Sequence, residues 1–153
     1  MVDEGVTLPR LKLGSSLVAV AVGGAVGTWI RAEILTWQPT PPTLSLDGTR
    51  AASTATWQSF VPWWLLVINT VGVLVAALLL AGPLKGRSPD DPWRLFALTG
   101  ALGGLTSYSA LIRDFAVIRS MSPLGAGVTL LGAIAAGIVA AWFGVVLARL
   151  RWP

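Results

Sequence analysis

Gly100-Ala101-Leu102-Gly103-Gly104-Leu105-Thr106-Ser107-Tyr108-Ser109 lies in the middle of a stretch otherwise apolar enough to sit in a membrane. Glycines and adjacent hydroxyls loosen a helix. At bilayer depth a loosened backbone is tolerated only where protein or a polar cavity surrounds it. A short hydroxyl-rich break inside a spanning helix therefore points to ion handling.

The composition around this stretch sets the class. Hydrophobic residues make up 54% of the chain and charged residues 12%, with a mean hydropathy of +0.73, which is the balance of an integral membrane protein. A crossing takes about 20 residues, so 153 residues leave room for four helices and little else. The expected fold is all-α, with residues 1–153 forming one membrane domain. Without cysteine or histidine there are no disulfides, soft-metal sites, thiol nucleophiles or imidazole acid–base groups. The seven carboxylates are Asp3, Glu4, Glu33, Asp47, Asp90, Asp91 and Asp114. Most fall between the apolar stretches and suggest neither catalysis nor a hard-metal cage, so an enzyme is not expected. The net charge of +4 comes from basic residues scattered at span ends, as snorkelling and orientation require. Nucleic acid is not an expected partner.

The expected spans are residues 13–35, 63–81, 93–118 and 123–147. The third is longer than one crossing needs and carries the break. Residues 38–62, with Pro39, Pro41 and Pro42 ahead of a Ser/Thr/Ala-rich run, read as an exposed loop. The polar first dozen residues lead into a long apolar stretch and do not read as a signal peptide. Four spans place both ends of the chain on one side of the membrane. That side carries Arg10, Lys12, Lys85, Arg87, Arg94, Arg149 and Arg151, against Arg31, Arg50, Arg113 and Arg119 on the other, which favours cytoplasmic termini. Tryptophans fall mostly near span ends, where interfacial aromatics belong, although Trp142 does not.

Several residues within the spans stand out. Gly23, Gly24 and Gly27 recur at helical spacing and suit a close helix approach. Arg31 follows one turn later and needs a carboxylate, carbonyls or water; it fits an anion vestibule, and snorkelling equally well. Asn69, in Val67-Ile68-Asn69-Thr70-Val71-Gly72, has an amide that can bridge helices or replace water around an anion. Opened backbone at Gly103 and Gly104 can turn carbonyls toward a cation, while the hydroxyls of Thr106, Ser107, Tyr108 and Ser109 can solvate an anion. The plain alternative is a kink satisfied by neighbouring helices. Thr129 either extends the polar path or bonds its own helix.

Three ordered signatures carry a resemblance over all four spans: Gly23-Gly24-Ala25-Val26-Gly27-Thr28 followed by Arg31, the Asn69 segment, and residues 100–109. Together they resemble the Fluc/CrcB fluoride channels. The resemblance implies a passive fluoride channel subunit of the cell membrane that expels cytoplasmic fluoride. It also implies an antiparallel dimer of four-helix subunits, dual-topology in type, with pores along the subunit interface. A structural sodium ion would sit on backbone carbonyls of Gly103 and Thr106. The fluoride path would run past Asn69, Thr106, Ser107, Tyr108, Ser109 and Leu111, with Arg31 as the first-span arginine.

The chain departs from the family's Thr-Thr-Phe-Ser-Thr-Phe motif, since it reads Thr106-Ser107-Tyr108-Ser109-Ala110-Leu111. Tyrosine keeps an aromatic edge, whereas leucine has no ring quadrupole. Asp114 falls where the family often has glutamate. The dimer is expected to be a homodimer or a heterodimer, and the missing ring and the seven-to-four basic bias point to the second form, in which a similar, oppositely oriented subunit completes at least one pore. Two rival readings remain at this point. One is a proton-coupled exporter of the small multidrug resistance type, which needs an embedded carboxylate where Glu33 lies near a span end. The other is a non-conducting assembly subunit.

Overall fold

The computed structural model describes residues 10–37 and 56–152. Helix α1 spans Arg10–Leu35, and α2 spans Trp63–Ala81. Helix α3 is continuous through a start at Pro92–Arg94, a π-helical stretch at Leu95–Leu102 and a last turn at Gly103–Leu105. Helix α4 covers Tyr108–Met121, and α5 covers Pro123–Arg151. Among the described residues four segments are long and apolar enough to cross a membrane, with α3 and α4 together forming the third at Pro92–Met121. The chain is thus an all-helical, multi-pass membrane protein.

Its ends are set by local chemistry. Asp91 caps the third span, its Oδ1 accepting from the backbone N–H groups of Trp93 at 2.9 Å and Arg94 at 3.1 Å. Proline at the first helical position suits the same end, where its missing N–H costs nothing. Acceptance from the Arg94 backbone, helped by the Arg87 guanidinium, holds the Asp91 carboxyl below the usual aspartate range. Ser122 ends α4 and caps α5, its Oγ accepting from the Gly125 N–H at 3.0 Å ahead of Pro123. A single residue thereby turns the chain from the third span into the fourth.

Packing pairs α1 with α3 and α2 with α5, while α4 leaves α1 and packs on α5. The first pair is a contact between backbones. A Cβ on Gly23 would strike the Phe96 carbonyl and one on Gly27 the Ala101 carbonyl, while one on Gly104 would lie 2.5 Å from the Gly24 carbonyl oxygen. Gly24 differs from its neighbours: its backbone touches α3, yet a Cβ there meets nothing within 4 Å. Between lipid-soluble helices, where apolar burial contributes little, such close approach is a main source of association. The second pair uses the same device, with Gly144 against the Leu74 carbonyl.

The stretch expected as an exposed loop over 38–62 differs at its end; residues 38–55 lie outside the described residues. Trp57–Phe60 forms a 3-10 turn, and Val61 and Pro62 are buried. Val61 joins Ile118 and Ala126 in a small core flanked by Trp57, Phe60, Leu66 and Phe115. Trp57 fits against the space that Gly125 leaves open. Aromatic and apolar side chains following a polar run draw it onto α4 and α5, and such pairing is not visible from local composition. Trp37 and Trp64 meet edge to face at 6.0 Å, tying the end of α1 to the start of α2. Large apolar side chains are otherwise exposed along every long helix, including Trp142 in α5. This is the surface of a chain surrounded by lipid or by another membrane subunit.

Candidate functional site

Between Leu105 and Tyr108, two residues leave helical geometry: Thr106 has φ −81° and ψ 147°, and Ser107 has φ −143° and ψ 106°. Both are extended. The chain then resumes as a helix with a different partner, which the change of direction allows.

Extended backbone in an apolar medium needs new hydrogen-bond partners for the groups it takes out of the helix. The Ser107 N–H donates to Asn69 Oδ1 at 3.0 Å, and Asn69 Nδ2 donates over a longer 3.5 Å to the Ser107 carbonyl. A side-chain amide thus pairs with Ser107 at two points, as a neighbouring strand would. Ser107 Oγ accepts from the Ala110 N–H at 3.3 Å and so caps α4. Thr106 Oγ1 donates back to the Leu102 carbonyl at 2.9 Å, and so does the Thr106 N–H. The serine and threonine that invite a break therefore also satisfy it.

The interruption takes the carbonyls of Gly103 to Thr106 out of the helix ladder, and for two of them the lost donor has a named new partner. The donor four residues on from Gly103 is the Ser107 N–H, which Asn69 has taken. The one four residues on from Thr106 is the Ala110 N–H, which Ser107 Oγ has taken. The Thr106 carbonyl accepts instead from Arg31 Nη1 at 3.3 Å, across from α1. Of the partners an arginine at this depth could use, Arg31 has found a carbonyl.

Asn69, Thr106, Ser107, Tyr108 and Leu111 line one groove of about 320 Å³, whose other wall is Leu130, Ile134 and Gly137 of α5. Tyr108 is 72% exposed, so its ring stands out from the chain, and Leu111 is buried at 8%. Ser109 lies beside the groove, its Oγ 3.4 Å from that of Ser107. Arg31 is not part of the lining; it reaches the Thr106 carbonyl from the side of α1. Thr129 is buried, donates to the Gly125 carbonyl at 2.9 Å and lines a separate, more apolar groove beside Trp57. Glu33 is exposed near the end of α1, which leaves it poorly placed as an embedded proton carrier. Asp114 pairs with Arg113 at 3.2 Å.

Sequence reasoning did not find Thr70, Val73 and the α5 wall, which line the groove through inter-helix packing. It also missed the π-helical widening before the break. π turns often occur at functional positions, and the close approach of Gly100 to α1 that accompanies this one is a contact between distant parts of the chain.

Comparison with known proteins places the chain among relatives. The family described as "CrcB-like protein, Camphor Resistance (CrcB)" matches residues 18–145. The chain is 33% identical over 147 residues to the "Fluoride-specific ion channel FluC" of Erythrobacter litoralis, a match covering 94% of this chain and 97% of that one. It is 36% identical over 140 residues to the "Fluoride-specific ion channel FluC 2" of Leifsonia xyli subsp. xyli, covering 88% and 83%. With the "Fluoride-specific ion channel FluC 2" of Nocardia farcinica it shares 32% over 138 residues, covering 89% and 85%. Matches of this extent take in all four spans, and the chain belongs to the CrcB family.

Proposed function

We propose that the chain is a subunit of a fluoride-selective passive channel in the cell membrane, letting cytoplasmic fluoride leave down its electrochemical gradient. The observation that carries this reading is the Asn69 amide, fixed on the Ser107 backbone inside a groove with largely apolar walls. Fluoride is small and strongly hydrated, so its water has to be replaced by donors. An amide has two N–H groups. One of those on Asn69 reaches the Ser107 carbonyl, and the other serves an anion in the groove. The exposed Tyr108 adds a hydroxyl and a positive ring edge. The names of the relatives support the same ion.

The groove is open on one side, and the chain's apolar exterior continues around it. A second subunit in the opposite orientation closes it. Leu111 offers no ring edge, and the basic residues divide seven to four between the two sides of the membrane. Both features favour a similar but distinct second protein over an identical copy. The third span is the broken helix of this architecture, with Thr106 and Ser107 as its break. The carbonyls of Gly103 and Thr106, freed from the ladder, suit a hard cation such as sodium by their donor chemistry. Thr106 already accepts one bond from Arg31 and has a second lone pair to give. A sodium ion bound there supplies positive charge that lowers the cost of an anion in the interior.

The test is a fluoride-electrode trace on liposomes carrying the protein purified from its own membranes with whatever subunit accompanies it, with chloride as control. Fluoride efflux without chloride efflux is expected, and weaker efflux when the chain is produced alone. Absence of fluoride efflux from the natively purified assembly contradicts the channel reading. Robust efflux from the single chain contradicts the distinct partner.

A further inference from the structure

One peptide unit at the break is held from both sides. Its carbonyl, on Thr106, accepts from Arg31 Nη1 of α1 at 3.3 Å. Its N–H, on Ser107, donates to Asn69 Oδ1 of α2 at 3.0 Å. The order is therefore guanidinium, peptide, side-chain amide, and it ends at the Asn69 Nδ2 group beside the groove. Arg31 takes no part in lining that groove and is only partly exposed.

We propose that Arg31 is a positioning residue that acts on the anion through the Thr106–Ser107 peptide and Asn69, without touching the anion itself. The physical reason lies in how hydrogen bonds in series polarise one another. A positive charge on the carbonyl oxygen draws electron density from the peptide and makes the Ser107 N–H a stronger donor. Asn69 Oδ1 then carries more charge, and the Nδ2 hydrogens become better donors. The effect is strongest where water is excluded, and the apolar walls of the groove provide that setting. The same contacts lock the amide orientation, because Oδ1 must face the Ser107 N–H and Nδ2 is left for an acceptor. A guanidinium suits the task because its charge persists at any physiological pH.

This inference rests on the channel reading above, and its test separates the two. The native assembly is compared with Arg31→Gln and Arg31→Lys in two measurements: the fluoride concentration that half-saturates flux, and the amide 1H and 15N shifts of Ser107 by solid-state NMR. Arg31→Gln is expected to weaken apparent fluoride affinity about three- to tenfold and to move the Ser107 amide proton upfield. Arg31→Lys, which restores the charge on a narrower head group, is expected to fall between the two in both readouts, and it carries the test if Arg31→Gln fails to assemble. Weakened affinity with an unmoved Ser107 amide overturns the proposal in favour of direct contact with the anion. A shifted amide with unchanged affinity overturns it in favour of a purely structural bond. Lack of fluoride flux in the unaltered assembly is a failure of the channel reading itself, and removes the basis of this one.

Discussion

Replacing Gly27 by alanine is expected to cost the fold about 3 kcal/mol, enough to leave little native protein in detergent. The added Cβ falls on the carbonyl of Ala101, and its next contacts, the Ala101 carbonyl carbon and the Leu105 nitrogen, are each 2.8 Å away. Every one of these is backbone. A flexible side chain can turn aside, whereas a helix can only move bodily, and α3 is held on α1 by Gly23, Gly100 and Gly104 as well. Gly24→Ala provides the contrast, since its Cβ meets nothing within 4 Å. Alanine is the better helix former by about 1 kcal/mol, so this variant is expected to match or exceed the original. Thermal unfolding followed by tryptophan fluorescence measures both. Equal responses at positions 24 and 27 contradict the packing described here.

Asn69→Leu is expected to reduce fluoride efflux at least about a hundredfold and to destabilise the third span. The leucine leaves the Ser107 N–H and carbonyl without the partners that now serve them. Each unpaired group costs about 1–3 kcal/mol away from water. It also removes the donor assigned to the anion. Asn69→Asp separates the two roles. Its carboxylate keeps an acceptor for the Ser107 N–H but has no hydrogen to offer and repels an anion. Asn69→Asp is therefore expected to conduct no fluoride and to unfold below the original temperature but above Asn69→Leu, because it keeps the bond from the Ser107 N–H and loses the one to the Ser107 carbonyl. Stability and efflux measured on the same preparation decide the matter, and an Asn69→Asp protein that conducts normally contradicts the anion role of Asn69.

How much of this was readable beforehand depends on whether the cause is local. Hydropathy is a property of neighbouring residues, so the span from Trp63 to Ala81 could be placed without coordinates. The break could be placed as well, because Gly103, Gly104, Thr106 and Ser107 weaken a helix through their own chemistry. The partners of the break are a different matter. Asn69 is 38 positions from Ser107 and Arg31 is 75 from Thr106, and only the packing of α1, α2 and α3 decides that these side chains take opposite ends of one peptide. By sequence Asn69 suits either a helix bridge or a water substitute. Its Oδ1 makes the bridge, and its Nδ2 remains beside the groove. Thr129 shows the opposite case, since its bond to the Gly125 carbonyl is local and belongs to the general behaviour of threonine in helices. The 3-10 turn at Trp57–Phe60 was concealed because a polar run precedes it and the surfaces that hold it, on α4 and α5, come more than fifty residues later.

The break also explains why the third span changes partners. With α3 on α1 and α4 on α5, one helical rod could not satisfy both contacts. Two extended residues turn the chain between them, and of the side chains that satisfy those residues Asn69, Thr106 and Ser107 line the groove. Asn69 therefore serves both the packing and the proposed ion path, whereas Gly27 serves the packing of α1 on α3 alone.

The central claim, that the amide clamped on Ser107 stands in for the water of a small halide, is tested most directly by solid-state NMR on the native assembly with bound fluoride and 15N-labelled asparagine side chains. The chain has a single asparagine, so the label in this subunit is unambiguous once its partner is left unlabelled. Dipolar coupling between 19F of the bound ion and the Asn69 side-chain nitrogen, at hydrogen-bond distance, is the predicted result. Bound fluoride with no coupling to that nitrogen would contradict the account.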